Sequence, residues 1–468
     1  MIARLCSYPS TKESEAPQIG AVPEHWRVCK LRNLLVAITA RNRPDLPLLS
    51  IVREKGVILR DMTGDDENHN FVPDDLSNYK VVQRGQFAMN KMKAWQGSFG
   101  VSAHDGIVSP AYFVFDLHGV IGAFFHAAIR SKAYVPFFTQ ASDGVRIGQW
   151  DLSQTRMREI PFVVPSFPEQ QAIVRFLDYM NRRIRKYIRA KQKLIKLLEE
   201  QKQAIIHRAV TRGLDPNVRL KPSGVEWLGE VPEHWEVKKL KQLTRFHNGL
   251  AFKPADWSTA GTPIIRIQNL NGSEDFNYTV RADLPSSLLI HPGDLLFAWS
   301  GNIGTSFGSF IWERAFVGYL NQHIFKLAGY DLNATYFSHL LRAVTRHVEE
   351  QAHGIIGLVH ITKPELGSVF VPVAPPGEQV AIASAIETQV DTLTAASDRA
   401  RRECDFLREY HTRLIADVVT GKLDVREVAA RLPDETEEME PDNGLDALTE
   451  GEEVEADGTE TIEEEAEV

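Results

Sequence analysis

The sequence predicts an α+β protein in which two globular domains are separated by two long helices that pair as an antiparallel coiled coil, with a pseudo-two-fold internal repeat. Two observations favour this class. Short motifs recur at a constant offset of 209 residues along the 468-residue chain, and two windows of about 45 residues carry apolar side chains at heptad-like spacing. The stretches between these windows contain short β-rich runs bounded by turn residues.

The internal repeat is the most specific feature of the chain. Residues 20–26, Gly-Ala-Val-Pro-Glu-His-Trp, return as residues 229–235, Gly-Glu-Val-Pro-Glu-His-Trp. Further matches at the same offset are Glu169-Gln170 with Glu378-Gln379, Ala172-Ile173 with Ala381-Ile382, and Thr211 with Thr420. Because the segments between the matches differ, the sequence predicts two copies of one module that share a frame and differ in content.

The first globular domain is expected over residues 1–166. Residues 112–115, Tyr-Phe-Val-Phe, form an aromatic and β-branched run of the kind found in strands, and Gly, Pro and Asn residues mark turns around it. The second domain is expected over residues 214–374, where residues 263–267 form a similar run. Each domain is long enough to bury a core of its own.

The first long helix is expected over residues 167–213. Pro168 suits the start of a helix and Gly213 its end. The apolar side chains at alternating spacings of four and three are Ile173, Leu177, Met180, Ile184, Tyr187, Leu194, Leu198 and Ile205. Only Lys191 and Gln201 interrupt this seam.

The second long helix is expected over residues 375–422. Its weaker apolar seam consists of Ile382, Ile386, Leu393, Ala396, Ala400, Leu407, Tyr410 and Leu414. Residues 168–212 carry 12 basic and 4 acidic side chains, whereas residues 377–421 carry 5 and 8. Opposite charge and matching seams predict that the two helices pair with each other. The alternative is that each stripe packs on its own globular neighbour.

The net charge of −9 is concentrated at one end of the chain. Residues 434–468 contain 17 Asp or Glu and no Lys or Arg, which predicts a disordered acidic tail. The rest of the chain is positive overall, a balance that permits nucleic-acid binding. No apolar run approaches the ~20 residues that span a bilayer. The three cysteines form no disulfide framework, so we expect a cytoplasmic protein without a membrane partner.

The sequence lacks the motifs of common catalytic and cofactor sites. It has no phosphate-binding Gly-rich loop, no dinucleotide fingerprint, no His-Glu-x-x-His zinc motif and no nucleophile elbow. Residues 236–238, Glu-Val-Lys, could form the acidic half of a nuclease site, but the first copy does not repeat them. We interpret the repeated His25-Trp26 and His234-Trp235 as structural. The sequence therefore predicts no catalytic residue, no cofactor and no metal site.

The repeated motifs resemble the specificity (S) subunits of Type I restriction–modification systems. The resemblance rests on Val-Pro-Glu-His-Trp followed by Lys-Leu, on the Glu-Gln pair that opens each long helix, and on helix ends with Thr and Leu-Asp, each present twice. Residues 85–112 and 293–304 also look like parts of the target-recognition domains of that family. The resemblance covers about residues 15–425, and the acidic tail lies outside it.

The resemblance implies a non-catalytic subunit that directs a Type I complex to a bipartite target. Each globular domain would be a target-recognition domain that reads one half of a double-stranded DNA site, and the paired helices would set the spacing between the halves. The helices would also dock methyltransferase (modification) subunits, two per chain in the family. Restriction translocase–nuclease subunits would join through them, so that methylation and ATP-dependent cleavage reside in the partners.

Side chains with paired donors and acceptors are the candidates for base recognition in these domains. Arg and Lys suit guanine, whereas Asn and Gln suit adenine. The candidates in the first domain are Asn90, Lys91, Lys93, Gln96 and Ser98, and those in the second are Lys253, Arg266, Gln268, Asn269, Ser300 and Asn302. We interpret the nearby Trp95 and Trp299 as packing residues.

Two other functions stay open on the sequence alone. The chain could be a DNA-acting nuclease in its own right, which metal-dependent cleavage by the purified chain would support. It could also be a non-DNA adaptor that holds partner proteins through its helices, which sequence-specific DNA binding would exclude.

Overall fold

The computed structural model describes residues 5–14, 16–60, 72–73, 75–144, 150–351 and 358–433. The chain forms two compact units. The first combines the chain up to Lys193 with the chain from Arg401 onward, and the second is Leu194–Ala400. Each unit therefore contains one globular part and a section of both long helices.

The elements follow the chain in the order that the repeat predicts. Up to the end of the first long helix they are β1 (Thr11–Glu13), β2 (Ala21–Pro23), β3 (Arg27–Lys30), β4 (Leu35–Ile38), β5 (Leu49–Val52), β6 (Gly56–Leu59), β7 (Lys80–Val82), β8 (Phe87–Met89), β9 (Phe99–Val101), β10 (Gly106–Val108), β11 (Phe113–Leu117), α1 (Gly122–Ile129), α2 (Val135–Gln140), β12 (Ser142–Asp143), β13 (Asp151–Leu152), α3 (Gln154–Arg158), β14 (Pro161–Val164) and α4 (Phe167–Arg212). Those that follow are β15 (Leu220–Pro222), β16 (Glu230–Pro232), β17 (Glu236–Lys239), α5 (Leu240–Leu243), β18 (Arg245–Asn248), β19 (Thr262–Ile265), α6 (Ile267–Leu270), β20 (Asn277–Thr279), β21 (Leu289–Ile290), β22 (Leu295–Ala298), β23 (Ser300–Asn302), β24 (Gly308–Ile311), β25 (Gly318–Leu320), β26 (Ile324–Ala328), α7 (Ala334–Gln351), β27 (Leu358–His360), α8 (Lys363–Ser368), β28 (Phe370–Val373), α9 (Pro376–Val419) and α10 (Arg426–Ala430).

The centre of the first unit is a four-stranded antiparallel sheet in the order β4-β11-β8-β9. Its strand β11 contains most of the predicted 112–115 run. Helix α1 packs on the sheet, with the ring centroids of Phe125 and Phe87 5.0 Å apart. Strands β3 and β14 pair where the chain enters and leaves the globular part, and the Leu31 N–H donates to the Ile160 carbonyl at 2.9 Å.

The second unit repeats this arrangement strand for strand. Its antiparallel sheet has the order β18-β26-β22-β24, and β17 pairs with β28 as β3 pairs with β14. The Leu240 N–H donates to the Val369 carbonyl at 3.0 Å at the same junction. A second sheet, β20-β19-β25-β21, contains the strand predicted around residues 263–267 and includes the parallel pair β19 and β25. The predicted duplication therefore extends to the fold.

The two long helices run antiparallel within the first unit. His411 on α9 hydrogen-bonds to Asn181 on α4, and the Lys191 Nζ lies 2.5 Å from the Glu403 Oε2. As the residue numbers rise along α4, the numbers of the residues that they contact on α9 fall, as in an antiparallel pair. In the second unit, the remaining sections contribute to one buried apolar cluster, which includes Ile206 of α4 and Ile386 of α9. Pairing of the helices with each other, rather than with globular neighbours alone, is confirmed.

The predicted heptad register is wrong in part of both helices. Tyr187, Leu194 and Tyr410 were placed in the seams but are 51%, 41% and 47% exposed, whereas Ile188 is fully buried. A heptad repeat faces a partner only when the helices supercoil, because a straight helix has 3.6 residues per turn. In α4, Met180, Ile184 and Ile188 are buried at two successive spacings of four, where the heptad expects four and then three.

The segment before β1 contacts the segment after α9 within the first unit, because the Asp424 N–H donates to the Cys6 carbonyl at 2.8 Å. Residues 434–468, the predicted acidic tail, lie outside the described residues. None of the described helices combines the length and the apolar character that crossing a membrane requires. In the same residues, no group of three or more His, Cys, Asp or Glu side chains could hold a metal ion.

Candidate nucleic-acid interface

The repeated residues form a hydrogen-bonded frame at the start of each long helix. Trp26 and Trp235 are buried at 0% and 1% exposure, as expected of packing residues, whereas His25 and His234 are exposed. The His25 Nε2 lies 2.9 Å from a carboxylate oxygen of Glu169. The second copy repeats this contact through Glu378, whose carboxylate also accepts the indole N–H of Trp235 at 3.0 Å.

A buried glutamine next to this carboxylate anchors each globular part. The Gln170 Oε1 accepts from the Ile121 N–H at the start of α1 at 2.7 Å, and its Nε2 donates to the Pro165 carbonyl at 2.9 Å. Gln379 makes the equivalent two bonds in the second unit, each at 2.8 Å. The repeated residues therefore bind each other and the backbone. Because these bonds need few side chains from the divergent segments, the sequences of those segments can differ between the two copies.

In the first unit, divergent loops meet at one edge of the central sheet. Strands β4 and β8 end at this edge, and β11 and β9 begin there, because each neighbouring pair is antiparallel. The loops at this edge are residues 39–43, 90–98 and 109–112. The second of them contains all five candidates that the sequence predicts for this domain.

Two of these candidates are buried. Asn90 is 7% exposed, and its Nδ2 donates to the Tyr112 hydroxyl at 3.2 Å while its Oδ1 accepts from the Met92 N–H at 3.1 Å. Ser98 is 2% exposed, and its N–H donates to the Lys93 carbonyl at 3.2 Å. The Asn90 amide is therefore engaged by protein groups, and Ser98 is buried, so both residues support the shape of the loop.

The other three candidates lie nearer the surface. The Lys91 Nζ pairs with Asp151 at 3.0 Å with a third of its side chain exposed. Lys93 is exposed and Gln96 is half-buried. The Trp95 ring packs 5.0 Å from that of Trp150, a contact between this loop and the segment that leads into β13.

A half-buried arginine that the sequence analysis missed braces this loop. The Arg130 Nη1 donates to the Phe99 carbonyl at 2.6 Å, and its Nη2 donates to the carbonyls of Arg53 and Glu54 at 2.8 and 2.7 Å. Burial lowers the pKa of Arg130 to about 10. One side chain at the C-terminal cap of α1 thereby ties the end of the loop to the β5–β6 turn.

The sequence analysis also missed a group of cations at this edge. The Lys80 Nζ donates to the Tyr112 carbonyl at 2.5 Å and lies 5.7 Å from the Phe113 ring centroid, and Lys80 pairs by its backbone with Arg41. Burial and then the charges of Arg41 and Lys91 lower the pKa of Lys80. An anion bound here would relieve that repulsion. Only the sheet topology brings these cations together, since they are distant in the sequence.

In the second unit, the divergent loops also meet at one edge. The Asn321 N–H donates to the Ile265 carbonyl at 3.1 Å beyond the parallel ends of β19 and β25. The Trp299 N–H donates to the His323 carbonyl at 3.1 Å, and its indole N–H donates to the Gln322 carbonyl at 2.9 Å. The segments joined in this way are residues 266–271, 299–302 and 321–323, and a backbone bridge from Leu250 to Asn321 adds residues 249–253.

The segment after β19, which consists of Arg266 and the short helix α6, holds three of the predicted residues. Asn269 is 2% exposed, and it accepts from the Arg266 N–H at 2.9 Å and donates to the Asp275 carbonyl at 2.9 Å. Gln268 is exposed, with a weaker bond to the same carbonyl at 3.3 Å. The Arg266 guanidinium carbon lies 5.9 Å from the ring centroid of Trp257. Asn269 thus supports the loop, while Arg266 and Gln268 reach its surface.

The remaining candidates lie on neighbouring segments. Ser300 is half-buried and Asn302 exposed on β23, where the Asn302 N–H donates to the Ser306 Oγ at 2.7 Å. Lys253 is exposed, and its backbone N–H donates to Asp256 at 2.9 Å. The ends of β22, β19 and β18 therefore bring these segments to the same side of the second unit.

Trp299 lies in an aromatic cluster at this edge. Its ring centroid is 5.1 Å from that of His323 and 4.8 Å from that of His360. Burial and then the charge of His360 lower the pKa of His323. The sequence did not predict that His323 and His360 lie beside Trp299, because both are far from it in the chain.

The sequence matches known proteins along most of its length. Residues 232–400 match the family described as Type I restriction modification DNA specificity domain. The chain is 24% identical over 206 residues to the Type I restriction enzyme EcoBI specificity subunit of Escherichia coli, a match that spans 42% of this chain and 41% of that protein. It is 22% identical over 461 residues to the putative type I restriction enzyme MjaX specificity subunit of Methanocaldococcus jannaschii, spanning 90% and 99%.

The fold is also found among solved structures. A chain from a structural study of complex assembly and conformational transition in the type I R-M system superposes with a TM-score of 0.62 at 16% identity, covering 86% of this chain and 99% of that one. The alignment with the Methanocaldococcus protein includes both copies of the repeat. Residues 232–400 thus match the DNA specificity domain of Type I restriction–modification systems, and the chain as a whole is similar to specificity subunits of those systems.

Proposed function

We propose that this chain selects the DNA target of a Type I restriction–modification complex, with each unit reading one half of a bipartite site. The observation that carries the proposal is the division of roles within each unit. Repeated residues form the frame, and divergent loops with exposed donors and acceptors meet at one sheet edge. A protein that must change its target while keeping its partners requires that division.

The residues proposed to contact DNA are the candidates that reach the surface, joined by the cations that the fold adds. They are Lys91, Lys93, Gln96, Lys253, Arg266, Gln268, Ser300 and Asn302, with Arg41 and Lys80. We assign Asn90, Ser98 and Asn269 to loop support, because all three are buried and the amides of Asn90 and Asn269 are already bonded. Base edges are read by paired donors and acceptors, whereas phosphate contacts fix the position of the protein.

We infer that the chemistry resides in partner subunits in the cytoplasm. The duplicated frame gives two equivalent junctions between a long helix and a globular part, which suits two methyltransferase subunits per chain. Restriction translocase–nuclease subunits would associate through them. Helix α4 has 46 residues, or about 69 Å, which is close to two turns of B-DNA and suits an element that sets the half-site spacing.

The alternative functions have less support. Glu236 on β17 forms an ion pair with Lys238, which lowers the pKa of the Glu236 carboxyl, and the pair lies on an exposed strand. A nuclease would need further carboxylates beside it. An adaptor without DNA binding leaves the cationic edge of the first unit unexplained.

The first experiment is methylome sequencing of two hosts. One host expresses this chain together with the methyltransferase subunit of the same restriction–modification system, and the other lacks only this chain. The expected result is methyladenine at one bipartite motif, and only when the chain is present. Methylation that is unchanged without the chain would contradict the proposal.

A further inference from the structure

We propose that Arg266, held against Trp257, reads a guanine in the half-site of the second unit. The inference rests on the proposed function and adds to it one residue, one base and a reason for the choice.

The backbone of Arg266 is fixed where the loops of the second unit meet. Arg266 follows β19 directly, and Ile265 receives a hydrogen bond from Asn321 beyond the parallel strand β25. The buried Asn269 accepts from the Arg266 N–H and is itself held by the carbonyls of Ser273 and Asp275. The side chain therefore starts from a defined position.

The guanidinium of Arg266 differs from the other arginines nearby. Arg281 is paired with Asp256 and Asp283, and Arg314 is paired with Glu274. Arg266 has no carboxylate partner among the described residues, and its buried Nε has no hydrogen-bond partner there. A buried N–H donor without an acceptor is costly, so this group is suited to a ligand that supplies acceptors.

Trp257 gives the guanidinium its orientation. Its indole ring is 43% exposed, and the Arg266 Cζ lies 5.9 Å from the ring centroid. An aromatic ring beneath a guanidinium attracts the cation and leaves its N–H edge free. The N7 and O6 atoms of guanine offer the two acceptors that this planar fork matches.

Arg266 could contact either a phosphate or a guanine. Substitution by lysine distinguishes these two roles. Lysine keeps the charge and can contact a phosphate, whereas it lacks the fork that holds two guanine atoms at once. Arg266→Lys is therefore expected to relax the choice of base at one position while the other positions keep their preference. The expected loss of discrimination is roughly 5- to 150-fold.

The test uses the purified complex of the full chain with its methyltransferase. Methylation rates are measured on duplexes that carry the mapped motif and on every single-base-pair substitution of it. The variants are Arg266→Lys, Arg266→Ala and Trp257→Phe, with Arg245→Lys as the matched control. Arg245 is exposed at the start of β18, at the opposite end of the same unit's antiparallel sheet.

The proposal expects that Arg266→Lys and Arg266→Ala relax one G·C position in one half-site, and that Arg245→Lys changes nothing. Trp257→Phe keeps an aromatic ring and should have a smaller effect at the same position. An equal rate loss on all duplexes would assign Arg266 to a phosphate and overturn the inference, as would an unchanged base preference. If the wild-type complex methylates no defined motif, the proposed function itself fails instead.

Discussion

Lys80 is the residue for which a contact to a DNA phosphate is best supported. Its ammonium lies at the edge where the first unit's loops meet, and burial, Arg41 and Lys91 all disfavour its charge. A phosphate would offset that cost through a charge-assisted hydrogen bond. Lys80→Gln is therefore expected to weaken the complex equally for all duplexes and to reduce the salt dependence of log K by about 1, measured by fluorescence anisotropy at several salt concentrations.

The matched control for this prediction is Lys12→Gln, because Lys12 is exposed on β1. That change should leave both the affinity and its salt dependence unaltered. A Lys80→Gln variant that loses affinity for only some sequences would instead assign Lys80 to a base.

His411 predicts a pH dependence of folding stability. Burial and then the charge of Arg185 lower its pKa to about 4. Between pH 6.5 and pH 4 the His411 ring is protonated in the unfolded chain but neutral in the folded chain. Its contribution to the free energy of unfolding is therefore fully present above pH 6.5 and is lost as the pH falls towards 4. His411→Gln should reduce this slope by about 1.4 kcal/mol per pH unit in that window, measured by urea unfolding.

The control is Thr412→Val, which changes the neighbouring residue without removing a titratable group. An unchanged slope in His411→Gln would mean that the histidine is protonated in the folded chain, and that its contact with Asn181 stabilises the charged ring.

At the scale of the long helices, the observed register makes a testable choice between two adjacent residues. Ile188 is fully buried, whereas Tyr187, which the heptad seam would bury, is 51% exposed. Ile188→Ala is therefore expected to cost about 2–5 kcal/mol in the free energy of unfolding, while Tyr187→Ala costs under about 1 kcal/mol. Urea unfolding of both variants decides between the two registers. A larger loss of stability in Tyr187→Ala than in Ile188→Ala would support the heptad register instead.

The ends of these helices could be predicted from the sequence, but the register between them could not. The first helix, expected over residues 167–213, extends over Phe167–Arg212, because residues such as Pro168 and Gly213 act locally. Whether residue 187 or 188 faces inward depends on how far the helix supercoils, and a partner helix decides this. A local sequence pattern therefore constrains the ends of a helix more strongly than its faces.

The candidate site, too, could be predicted only in part from the local sequence, for a second reason. The loops of residues 90–98 and 266–269 could be found from their composition, because donors and acceptors cluster in them. Which atoms reach the surface depends on distant partners, as when Tyr112 engages Asn90. Lys80 and Arg41 meet only through a strand pairing that neither local sequence specifies.

At the scale of the whole molecule, each globular part is an insertion between two points that touch. The Leu31 N–H donates to the Ile160 carbonyl in the first copy, and the Leu240 N–H donates to the Val369 carbonyl in the second. The repeated frame lies outside these junctions, at the start of the long helices. A segment whose ends meet can be exchanged without stretching the frame, so under the proposed function the target could change while the frame stays the same.

Exchange of residues 30–160 for the equivalent segment of a relative tests this modularity. The expected product is an active complex whose methylation motif changes in one half only, with the other half and the spacing retained, because β3 and β14 still pair at the junction. Methylome sequencing of the chimera gives the result directly. The reciprocal exchange of residues 239–369 is the control and should change the other half. If either exchange alters both halves, the two units do not read the site independently.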